Sequence, residues 1–134
     1  MKNILLLTAA ALLAASCQES LEDRAEREAR EMTRKNCPMK LEEGVTHDSL
    51  VFHKNSLTLQ YCLTLSGRAD TTAILKDKAR QSIVESVKGN TSLRPYKEAG
   101  YNFMYTYYSE KHPGMKLFET TVTKKDYSGG ESRK

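Results

Sequence analysis

Leu57-Thr58-Leu59-Gln60-Tyr61-Cys62-Leu63-Thr64-Leu65 alternates apolar and polar residues without a break. Period two with one apolar face marks a strand half-buried on a core, in the manner of an antiparallel sheet. Gly67 and Asp70 close the segment. Just upstream, residues 49–53 (SLVFH) read as a shorter strand. Lys54-Asn55-Ser56 between them reads as a hairpin turn, with Asn55 in the left-handed conformation that Asn tolerates.

Downstream of residue 70 the period changes. Leu75, Ala79, Ile83 and Val87 recur every four residues, and Ile74 and Val84 widen the stripe into a core-facing helix. Asp70, Thr71 or Thr72 can cap its start, and Gly89 ends it. A helical turn over residues 92–99 stops at Gly100. Tyr101, Phe103, Tyr105 and Tyr107 then line one face of a third strand, with Tyr108 on the other. His112-Pro113-Gly114 is a type II turn, and residues 115–123 return with Phe118 and Val122 facing the core.

Upstream of residue 37 the chain is dense in charge. Leu21, Ala25, Ala29 and Met32 make a weak helical stripe, Ser20 stands at the start, and Glu26→Arg30 and Glu31→Lys35 pair at i,i+4. This reads as a solvated tether helix, ended near Asn36 because Pro38 pushes Cys37 out of the helical region. The order is α-β-β-α-β-β: an α+β two-layer sandwich, an antiparallel sheet of two hairpins with a packed helix.

The extreme N-terminus, MKNILLLTAAALLAASC, pairs one cation, Lys2, with an apolar run over residues 4–15, then small residues and Cys17. That is a secretory signal, too short to span a bilayer. Its small-small-Cys ending resembles the lipobox of bacterial lipoproteins, which implies cleavage after residue 16 and lipid on Cys17. The expected organisation is signal peptide 1–16, lipidated Cys17 and tether helix 17–36, α+β domain 37–127 and disordered tail 128–134.

Loss of Lys2 lowers the net charge from +4 to +3, too little to imply nucleic-acid binding. The absence of Trp removes the commonest anchor of sugar sites. With Cys17 taken by lipid, Cys37 and Cys62 remain as a pair in an oxidising compartment, and a disulfide between them is expected. It would stabilise the fold by roughly 3 kcal/mol. It requires the segment after the tether helix to cross the Thr58, Gln60, Thr64 face on which Cys62 lies. A thiol enzyme would need His47, His53 or His112 within reach of a cysteine, and no nucleophile motif surrounds either. The histidines lack metal-ligand spacing, even with Glu42 or Glu43 added. Residues 101–108 (YNFMYTYY) lack the basic flanks of an RNA-stacking strand and read as core. Asp126 and Tyr127 read as solvated surface. No catalytic residue, metal or cofactor is expected.

Asn36-Cys37-Pro38, Leu41, Gly44, Asp48-Ser49, LQYCLTL and the ending from GYNF through KLFE to KDY resemble small uncharacterised Bacteroidetes-type lipoproteins. Anchor and layer order are also loosely similar to pilotins, lipoproteins that escort secretin subunits to the outer membrane. The lipoprotein resemblance implies a cell-envelope location, and Gln18 after the lipidated cysteine fits outer-membrane sorting. The expected function is a non-enzymatic, membrane-anchored protein-binding or accessory module. Its partner face would be a sheet edge or Thr58, Gln60 and Thr64. The alternatives are a small envelope hydrolase or thiol enzyme, or a glycan-binding module.

Overall fold

The computed structural model describes residues 18–129; the signal segment, Cys17 and the last five residues lie outside them. Helix α1 (Leu21–Asn36) is capped by Ser20, whose hydroxyl accepts from the Asp23 amide, and carries acids in its first turn and bases in its last. Glu26 pairs with Arg30, but Glu31 pairs with Arg27 and not with Lys35. Strands β1 (Met39–Glu42), β2 (Val45–His53) and β3 (Thr58–Leu65) follow, then α2 (Lys76–Gly89), the short α3 (Arg94–Glu98), β4 (Asn102–Ser109), β5 (Lys116–Val122) and the short α4 (Lys124–Ser128).

The mixed α+β class is as expected; the arrangement of the sheet is not. Its five strands lie in sequence order, and an extra edge strand, β1, pairs with β2. The two hairpins meet through a parallel pair, Thr58 opposite Asn102 through Leu65 opposite Ser109, so the sheet is mixed. The physical reason is the connection: residues 66–101, with α2 and α3, have the length and apolar stripe of a crossover that packs back on the sheet.

Leu59, Leu63, Phe103, Phe118 and Val122 bury one sheet face under Ile83, Val87, Leu93 and Tyr96. Helix α1 is not a solvated tether. Ala25 is 0% exposed and Ala29 2%, because two small side chains let the helix lie flush on the sheet beside β2. Thr33 fixes it there, accepting from the Leu50 amide at 2.9 Å and donating to the Leu50 carbonyl at 3.0 Å.

Local details differ for local reasons. Lys54–Ser56 form a 3-10 turn, and Leu57 takes the left-handed conformation (φ 49°) assigned in expectation to Asn55. Packing of Leu57 against the core offsets a backbone cost of about 1–2 kcal/mol. Thr71 accepts from the Ala73 amide and Asp70 from the Lys111 amide, so neither caps α2, which starts late and leaves Leu75 exposed. Tyr127 is core, not surface, and Asp126 pairs with Arg80 at 2.9 Å. Gly44 turns β1 into β2 at φ 80°, where any Cβ would meet the Ser66 carbonyl oxygen at 2.9 Å.

Candidate binding cleft

Between α1 and the corner where α2 gives way to α3, the covered sheet face opens into a cleft of about 460 Å³. Ala25, Ala29 and Met32 form one wall, Leu93 and Tyr96 the other, with Ser86, Asn90 and Ser92 beside them. Leu59, Tyr61, Leu63 and Tyr105 make the floor, and Leu41 and His47 complete the lining. A largely apolar concavity with a few placed polar groups is the usual form of a binding site.

Those polar groups come from the apolar faces of strands. His47 is 5% exposed. Its Nε2 donates to the Ser49 carbonyl at 3.0 Å, which leaves Nδ1 as an acceptor without a partner among the described residues. Tyr61 and Tyr105, opposite each other in the parallel pair, stack at 4.6 Å. Burial pushes the Tyr61 phenol up to about 12 and that of Tyr105 also upward. Neither hydroxyl has a partner among the described residues, yet no fully buried side-chain oxygen is unsatisfied, so both reach open volume.

A latch joins the walls. Tyr96 Oη donates to Glu28 Oε2 at 2.7 Å, and Arg24 Nε donates to Glu28 Oε1 at 2.7 Å. Burial works to raise the Glu28 carboxyl, but the Arg24 and Tyr96 hydrogen bonds outweigh it and hold the group below its usual range.

Among the described residues the opposite sheet face carries no helix, and it is closed by its own hydrogen bonds. His53 meets Gln60 at 2.7 Å, Gln60 donates to Thr106 at 2.9 Å, Thr106 donates to Glu119 at 2.7 Å, and Lys116 donates to Glu119 at 3.2 Å. Of the expected partner face, Thr58 is buried at 4% exposure, Gln60 belongs to this ladder, and Thr64 donates to Asp48. Cys37 and Cys62 are free, half-buried thiols, and the bridge expected between them is not formed. Cys37 leads into β1, and β2 lies between β1 and β3. Cys17 lies outside the described residues, among which no three His, Cys, Asp or Glu side chains are placed to hold a metal ion.

The cleft was hidden in sequence because Tyr61 and Tyr105 alternate like any core residue. The one signal was His47, a polar residue at a position of β2 that faces the apolar Leu63.

The family model described as a domain of unknown function (DUF8479) matches residues 20–118. No curated protein matches the chain. Three solved structures share the fold. A Pseudomonas aeruginosa protein described as secreted is 16% identical, with a TM-score of 0.67 over 82% of this chain and 99% of its own. The pilotin EpsS of the Vibrio vulnificus type 2 secretion system is 15% identical, with a TM-score of 0.64 over 80% and 91%. The type II secretion system pilotin AspS of Vibrio cholerae is 18% identical, with a TM-score of 0.61 over 84% and 97%. At these identities the likeness is one of fold.

Proposed function

The chain belongs to the DUF8479 family, and on that premise we propose that it is a non-enzymatic accessory lipoprotein of the bacterial cell envelope that holds a segment of a protein partner. The observation that carries the reading is the cleft: about 460 Å³, apolar walls, and three unpartnered polar groups at His47, Tyr61 and Tyr105. An amphipathic helix laid between α1 and α3 would bury its apolar face there and meet those groups with its polar atoms. The pilotin folds among the neighbours support an outer-membrane escort role, and the signal ending at Cys17 supports a lipid anchor.

The experiment places a photo-crosslinking residue at Met32, on the cleft wall, and separately at Lys40, outside it, in the full chain expressed in its host. One envelope protein, crosslinked through an apolar segment at Met32 and not at Lys40, is the expected result. Equal crosslinking at both positions, or none at Met32, overturns the cleft reading. The Cys17→Ser chain should leave membranes washed with high salt, or remain uncleaved; a cleaved variant retained after that wash with wild-type yield removes the anchor.

A second reading has one observation in its favour: the sheet face without a helix leaves Gln60 and Thr64 half-exposed. A partner laid on that face would contact these two side chains.

A further inference from the structure

The positive charge of the chain is concentrated. Where α2 ends, α3 begins and α4 closes the fold, a pocket of about 440 Å³ gathers Lys88, Arg94, Lys97 and Lys124 against the single carboxylate of Glu98. That pocket alone holds a net excess of three positive charges, while the whole chain has +4. Lys97 cannot swing away, because its Nζ donates to the Val87 and Lys88 carbonyls at 2.9 and 3.0 Å. Arg94 and Lys124 are exposed and make no ion pair among the described residues. Lys88 stands 3.9 Å from Glu85, a loose pair. Cations crowded in this way repel one another, and an anion between them relieves the repulsion.

The pocket also has a telling position. Tyr127, one of its walls, donates to the Tyr101 carbonyl at 2.9 Å, and Tyr101 Oη donates to Glu22 in the first turn of α1 at 3.4 Å. Two side-chain hydrogen bonds thus link the wall of the basic pocket to the first turn of α1.

We infer that this pocket is a docking surface for an anionic phospholipid membrane, with headgroup phosphates received between Arg94, Lys97 and Lys124. With an anchor at Cys17, residues 17–20 span at most roughly 14 Å, which keeps the first turn of α1 near the membrane surface. The charge argument stands without the anchor. The contact fixes which side of the domain faces the bilayer.

The test uses residues 18–134, which contain every core side chain from Ala25 to Tyr127 and lack Cys17. Their sedimentation is measured with phosphatidylcholine vesicles and with mixed phosphatidylcholine–phosphatidylglycerol vesicles. Binding to the mixed vesicles alone is expected, weakening as salt screens the charges. Each basic residue at an anionic surface contributes roughly fivefold, so Arg94→Gln with Lys124→Gln should weaken binding roughly 30-fold. Lys76→Gln with Lys78→Gln removes the same charge from the far end of α2 and should leave most of the binding. Equal binding to both vesicle types overturns the proposal, as does equal loss in the two double variants. Capture of soluble polyphosphate without vesicle binding also overturns it. None of these outcomes depends on lipidation of Cys17 or on the cleft, so failure here leaves the accessory role standing.

Discussion

Replacing Tyr96 with Phe removes one hydroxyl and keeps the ring in the core. The lost bond, 2.7 Å to Glu28, has a charged acceptor, a class worth about 1.5–3 kcal/mol. Glu28 keeps Arg24, and its side chain is 39% exposed, so water replaces part of the contact. The low end, about 1.5 kcal/mol, is therefore expected at pH 7. With a urea m-value of about 1.5 kcal/mol per molar, the midpoint of residues 18–134 should fall by roughly 1 M. The pH dependence has a definite sign. The folded pKa of Glu28 lies below its unfolded value, so its contribution is present above the unfolded pKa and is lost as pH falls through the folded one. In that acid window the acceptor is neutral and the bond is worth about 1 kcal/mol or less, so the Tyr96→Phe penalty should shrink. Urea titrations of both proteins at neutral pH and near pH 3 make the comparison. A penalty below about 0.5 kcal/mol at pH 7, or one unchanged in acid, would refute the latch.

Three further outcomes separate the structure from plainer readings. Ala25→Leu should destabilise by about 1–3 kcal/mol through overpacking against the sheet; a solvated tether would tolerate it, and thermal unfolding decides. Residues 18–134, denatured without reductant, should take up two alkylating groups by mass, since Cys37 and Cys62 are free; an unlabelled chain would mean a bridge. Gln60→Glu with Thr64→Lys should leave capture of a confirmed partner intact if the cleft holds it, and lose capture if the open sheet face does.

Much of the fold was legible in residues 57–65 and 75–87, because a strand or helix with one buried face writes its period into the chain. The end of α1 at Asn36 followed from Pro38, and the turn at Gly114 from its place after Pro113. What period cannot carry is strand pairing. Nothing in LTLQYCLTL says that its second neighbour runs parallel, since both pairings bury the same alternate residues. The weight of α1 was misread for a related reason: Ala25 and Ala29 score as weakly apolar, yet their smallness is what permits close approach. The cleft depends on a gap between two helices, a property of spacing and not of any residue. The ladder from His53 to Lys116 joins two hairpins that are distant in sequence.

The parallel pair at the centre of the sheet sets the order in which the chain can fold. His53 meets Thr58 within a hairpin, whereas Thr58 meets Asn102 only after 44 intervening steps along the chain. Closing that longer loop costs about 2 kcal/mol more entropy, so the early three-strand meander waits with the outer edge of β3 bare. A chain delivered across a membrane from its N-terminus exposes that bare edge until residues 102–109 arrive. On the proposed export route the hazardous interval is the crossing itself, when β3 offers other unfolded chains the place reserved for β4.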